Sequence, residues 1–164
     1  MPNLSRLALE TLRTALLGEE GLGPRLYSLA MRDGVRPPEI GLANVVIRHL
    51  AAEVADEEPL RIFPLLSLYC QRLENRLDQR FSQFSGKVRI VVELRVSGHS
   101  LKSLEGDLDR LVEALQDVLG RHRGRWTDQL AYDGRLSVEF YPVKTGGKQY
   151  VQTAKAELDL LAHA

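Results

Sequence analysis

With 164 residues, 22 basic and 22 acidic side chains, the chain is long enough for one domain with a real core and too short for two plus a linker. The balanced charge leaves no global field toward nucleic acid or an anionic membrane. Hydrophobic residues make up 44% of the chain, but charges interrupt them everywhere, so there is no run of the roughly 18 apolar residues that a bilayer span needs. The single cysteine, Cys70, excludes an intrachain disulfide or a cysteine-rich zinc site and fits a reducing compartment.

The opening segment, MPNLSRLALETLRTALL, is amphipathic and carries Glu10 where a signal peptide would have an unbroken apolar centre, which predicts an untargeted soluble protein. Leu4, Leu7, Ala8, Leu12, Ala15 and Leu16 share one helical face over 4–17, with Asn3 or Ser5 as cap and Gly18 as stop. Glycines and prolines at 21, 23, 24, 34, 37 and 38 predict an irregular excursion over 19–40, with one short helical turn around Leu26 to Met31. Residues 42–55 fit either a strand, from Val45, Val46 and Ile47, or a helical face; strand followed by helix is the reading adopted. A polar loop with two prolines follows over 56–64. Residues 65–70 then alternate as a strand, with Leu66, Leu68 and Cys70 facing inward.

Leu73, Leu77, Phe81 and Phe84 recur at helical spacing, which predicts an amphipathic helix closed by Ser85 and Gly86. The clearest strand and the clearest helix come next. Val88, Ile90, Val92, Leu94 and Val96 alternate with mostly polar neighbours. After Gly98, Ser100 or Ser103 caps a helix whose stripe is Leu101, Leu104, Leu108, Leu111, Leu115 and Val118, widened by Val112 and Leu119. Its other side, with Lys102, Glu105, Asp109, Arg110, Glu113 and Asp117, should meet water or a polar partner. A turn at Asp133 and Gly134 precedes a strand over Leu136, Val138 and Phe140, which Pro142 ends. KTGGK at 144–148 marks a hairpin tip, and Tyr150 to Leu160 alternate again.

These elements predict one α+β domain over 1–164: a mostly antiparallel sheet of four or more strands, with helices packed on one face and the core over 41–161. The other sheet face would collect Arg89, Glu93, Arg95, Ser137, Glu139, Tyr141, Thr153, Lys155, Glu157 and Asp159. That mixture of signs suits a boundary between subunits, so Arg89, Glu93, Arg95, Glu139, Lys155 and Glu157 are candidate interface residues.

Catalytic patterns are missing from the sequence. His49, His99, His122 and His163 lie in four different elements, and no pair has metal-ligand spacing. Cys70 belongs to an apolar strand face, the place of an inert thiol. The serines lack any G-x-S-x-G or S-x-x-K context, and Glu19, Glu20, Asp56, Glu57 and Glu58 read as solvated loop charge. TGGK at 145–148 lacks the rest of a phosphate loop. The chain is therefore expected to be no enzyme and to need no cofactor or metal. Arg121, His122, Arg123 and Arg125 beside Trp126 could contact nucleic acid, although cations at a helix carboxyl end also complement its dipole.

FPLLSLYCQRLENRLDQRFSQFSGKVRIVVELRVSGHSLKSLE, followed by YDGRLSVEFYPVKTGGKQYVQTAKAELDLL, resembles neck proteins of long-tailed bacteriophages and prophages, above all tail terminators, also called tail-completion proteins. The resemblance covers roughly 40–161. Its more specific parts are FSGKVRIVVELRVS and FYPVKTGGKQYVQTAKAELDL, and residues 20–40 carry none of it. It implies a structural virion protein that forms a homo-oligomeric ring, a hexamer, on the head-proximal end of the tail tube. Such a ring stops tube polymerisation and joins a head connector or stopper, with DNA only as passing lumen content and no membrane partner. Candidate contacts with the tail-tube protein are Lys144, Gly146, Gly147 and Lys148, in a hairpin expected to project. Alternatives are another neck role, head-tail stopper or adaptor, or a nucleic-acid-associated protein using the Arg121 to Trp126 patch.

Overall fold

A strand that is apolar at every second position and a helix with an apolar stripe can each leave water only by covering the other. The computed structural model, which describes residues 3–48 and 62–164, builds on that pairing. Strand β3 (Ser85–Gly98) and helix α3 (Leu101–Arg121) follow one another, and Ser100 caps the helix by accepting from the Ser103 amide at 3.5 Å. The even positions of β3 and the stripe from Leu104 to Leu119 are buried in one cluster.

Around this pair the chain adds α1 (Leu4–Leu17), α2 (Leu22–Asp33), a 3-10 turn at Leu42–Asn44, and β1 (Val45–Ile47). It then adds β2 (Leu65–Asn75), β4 (Gly124–Arg125), β5 (Leu130–Phe140), β6 (Lys144–Gly146) and β7 (Gln149–His163). The result is an α+β fold. Among the described residues, a seven-stranded sheet has the order β1-β2-β3-β7-β5-β4, with β6 also on β7. Every pairing is antiparallel except β1 with β2. The strands expected near 65, 87, 135 and 149 are its central members.

Helices α1 and α3 lie on the face of the even residues of β3, and α2 packs chiefly on α3. Asn3 caps α1, its Oδ1 accepting from the Arg6 amide at 3.0 Å. The predicted α1 face is buried at Leu4, Ala8, Leu12 and Leu16, and Leu9 joins it.

Two expectations are overturned. Residues 19–40 are not an irregular excursion, because they contain the 12-residue helix α2. Gly23 and Pro24 are the second and third residues of that helix, in the first turn, where amides have no intrahelical acceptor and proline is tolerated. Gly34, with φ 69, is its left-handed cap, and Val35 donates back to the Ala30 carbonyl at 3.0 Å, as helix ends commonly do. The punctuation marks the helix boundaries, not its absence.

Residues 73–84 are not a helix either. Leu73 continues β2, opposite Val88, and the chain then turns through a loop in which Leu77 and Phe81 have φ 52 and 71, values foreign to a right-handed helix. Pairing along β3 outweighs a local helical pattern. The strand expected in this stretch is present as Val45–Ile47, after the 3-10 turn, whereas the helix expected to follow it and the loop at 56–61 lie outside the described residues.

Candidate assembly surface

The odd residues of β3 and their neighbours form the sheet face opposite the helices. Register across β2, β3, β7 and β5 puts Ser67, Glu93, Lys155 and Glu139 in one row. The next row holds Tyr69, Val91, Glu157 and Ser137. Direct neighbours across an antiparallel ladder stand close enough for opposite charges to pair.

The candidate interface residues are indeed gathered on this face, but several are already satisfied inside the chain. The Lys155 ammonium lies 3.5 Å from Glu93 Oε1, and the Tyr69 hydroxyl donates to the same oxygen at 3.3 Å. The ammonium also sits 5.2 Å from the centre of the Tyr141 ring, an attractive cation-to-ring placement. Burial works most strongly against its charge, but the Glu93 carboxylate together with Tyr69 and Tyr141 outweighs that, so Lys155 holds its proton above the ordinary lysine value.

Glu93 is 2% and Arg95 7% exposed. Arg95 Nε donates to Thr153 Oγ1 at 3.3 Å. Both residues belong to the interior of the subunit, so reversing Arg95 is expected to disturb folding, not assembly alone. Arg89 makes a two-pronged bond to Asp159, at 2.8 and 3.1 Å. The hydrogen bond from Arg89 holds the Asp159 carboxyl below the usual carboxylate range. Glu139, exposed, accepts from the Tyr141 hydroxyl at 3.2 Å, and Glu157 is half-buried. Of the six candidates, Arg89, Glu139, Lys155 and Glu157 retain surface that a neighbour could meet.

A polar hollow of about 240 Å³ continues this face at the Arg89 end, lined by Arg72, Glu74, Arg76 and Lys87 besides Arg89 and Asp159. Ser67, Tyr69, Arg72 and Glu74 were missed as members of the face. The alternation of Leu66 and Leu68 already implied Ser67 and Tyr69. Arg72 and Glu74 were hidden by the helical spacing of Leu73 and Leu77 and by the register shift between Cys70 and Arg72.

The KTGGK segment is a hairpin in which β6 lies along β7, with Gly146 opposite Gln149 and Gly147 at φ 67. Tyr150 is still paired with Gly98 of β3, so only residues 146–149 extend past the end of that strand. The projection is a short tip, with Lys144, Gly147 and Lys148 exposed.

The Arg121 to Trp126 patch offers less to a nucleic acid than its sequence suggests. Trp126 Nε1 donates to the His122 carbonyl at 2.7 Å, and its ring meets Tyr132 at 5.8 Å between centres. That indole is spent on the fold. His122 Nδ1 lies 2.8 Å from the Val118 carbonyl at the end of α3, His99 is exposed, and His49 lies outside the described residues. Cys70 is half-buried against the core; burial pushes its thiol up, and its Sγ lies 3.6 Å from the Arg72 carbonyl. Among the described residues, no group of three His, Cys, Asp or Glu could hold a metal ion, and no helix is long and apolar enough to cross a membrane. No family model matches the chain, and no curated protein matches it.

Proposed function

We propose that the chain is a structural subunit of the neck of a long-tailed phage or prophage virion, of the tail-terminator kind. Copies form a ring, a hexamer, on the head-proximal end of the tail tube, stop its growth and present a surface to the head connector or stopper. The chain carries no catalytic step and no cofactor in this role.

One observation carries the proposal. The two stretches that hold the more specific resemblance, FSGKVRIVVELRVS and FYPVKTGGKQYVQTAKAELDL, are more than 40 residues apart in sequence. In the fold they are neighbouring central strands, paired without interruption from Ser85 with His163 to Gly98 with Tyr150. The resemblance therefore falls on one continuous structural unit. The exposed parts of Arg89, Glu139 and Glu157 and the short β6–β7 tip supply polar contact surface around it, with little net field.

Co-expression with the tail-tube protein of the same genome tests the proposal. Tubes of defined length, with this chain as a ring at one end only, are the expected result in electron micrographs. Tubes of unregulated length with the chain unbound, or a monomer that binds DNA with a steep salt dependence, would overturn it.

A further inference from the structure

Two features at opposite ends of β3 have no use inside the subunit. At its start, the loop over 76–84 carries Leu77 and Phe81 on left-handed backbone, φ 52 and 71, with the two side chains 62% and 104% exposed. Such backbone is unfavourable for residues with a Cβ and persists where the surroundings impose it, often at functional sites. Here Asn75 braces the loop at Leu77 and at its far end. Its Oδ1 accepts from the amides of Leu77 at 3.2 Å and Ser85 at 3.0 Å, and its Nδ2 donates to the Gln83 carbonyl at 3.0 Å. A braced loop thus holds two large apolar side chains in water, at a cost in hydration that only a partner surface would recover.

At the far end of β3, beside Val96, a cleft of about 390 Å³ opens between Leu26 of α2, Leu111 of α3, Pro38 and Phe63. An apolar cavity of about 150 Å³ accepts a benzene ring, so this cleft has room for a phenylalanine side chain with a leucine beside it. The eleven steps from Ser85 to Val96 put about 37 Å between loop and cleft at the rise of an extended strand, so the loop cannot fill the cleft of its own subunit. Their charges match as well. The cleft is lined by Arg36, Glu39, Asp107 and Arg110; Arg110 is held by Asp33 and Asp107, which leaves Glu39 and Arg36 to meet the exposed Arg80 and Asp78 of the loop.

We infer that the 76–84 loop of one copy seats Leu77 and Phe81 in the α2–α3 cleft of a second copy of this chain, with Arg80 against Glu39. A knob at one end and its socket at the other make a head-to-tail contact, which repeats around a ring when the rotation closes. That closed form rests on the proposed function; the contact itself rests on the loop and the cleft.

Sedimentation velocity of the full chain over a concentration series tests it. The wild type is expected to associate. Phe81→Asp and Glu39→Arg, both at the surface and both checked for unchanged circular dichroism, should each weaken association on the order of 10- to 100-fold. Mixed together, the two variants should form a dimer and nothing larger. The Glu39→Arg chain keeps an intact loop and the Phe81→Asp chain an intact cleft, so one contact is restored, whereas the wild type alone grows past the dimer, which a two-fold symmetric interface would not allow. Wild-type association indifferent to Phe81→Asp, or a mixture that stays monomeric, overturns the docking and leaves the ring to be explained by another surface. A wild type that stays monomeric throughout overturns the docking too, and the ring is then judged on tail tubes alone.

Discussion

Removing the ammonium of Lys155 leaves the Glu93 carboxylate buried with one fewer partner, and Glu93 Oε2 already lacks a hydrogen bond among the described residues. Because the lysine side chain is itself 27% exposed, Lys155→Met should cost about 2–3 kcal/mol, short of the full penalty of an orphaned buried charge. Adding Glu93→Gln should recover part of it, as read from urea unfolding. The Arg89–Asp159 pair behaves differently. The folded pKa of Asp159 lies below its ordinary 3.8, so the pair stabilises above that value and its contribution is lost as pH falls through the lower, folded pKa. Asp159→Asn should therefore cost about 0.5–1 kcal/mol at neutral pH, with the gap to wild type closing below about pH 4. Equal losses at neutral and acid pH would contradict this. Cys70, half-buried and with its thiol pushed up by burial, should react with a disulfide reagent much more slowly in the native protein than in urea.

At the scale of elements, the β2–β3 hairpin depends on one glycine. A Cβ at Gly86 would collide with the Glu74 carbonyl oxygen, a backbone group that cannot swing aside as a flexible side chain would. Gly86→Ala should destabilise by about 2–3 kcal/mol by forcing the strands apart. Wild-type stability in that variant would mean that the strands separate freely there. Helix α2 is held to α3 by ion pairs across their polar sides: Arg25 with Asp117 at 2.6 Å, Arg32 with Glu113 at 2.9 Å, and Arg110 with Asp33 at 3.3 Å. These explain why the polar side of α3 did not have to face water alone. Its acids and Arg110 were legible as a surface needing a polar partner, but the partner was hidden in a segment whose glycines and prolines looked like breaks.

For the whole molecule, the β6–β7 tip offers a separate check on the proposed function. Replacing 144–148 by a shorter turn removes exposed residues and spares the β3–β7 ladder, which begins at Tyr150. The subunit should fold with stability within about 0.5 kcal/mol of wild type. Virions carrying it should show tails that overrun their normal length or fail to join heads in electron micrographs. Tails of normal length attached normally to heads would make the tip an ordinary connection.

The alternation of Val88 to Val96, the stripe of α3, the Asn3 cap and the α+β class were all determined by local sequence. Each rests on a period of about 2 or 3.6 residues, or on a cap within three residues of its target. The burial of Glu93 and Arg95 was decided by tertiary structure, because a two-residue period assigns a side chain to a face without saying what else packs there. The fate of 73–84 was decided in the same way. Leu73, Leu77, Phe81 and Phe84 satisfy a helical period on paper. A ladder with β3 and a loop braced by Asn75 take those residues instead, since backbone pairing over β2 satisfies more groups than one short helix could.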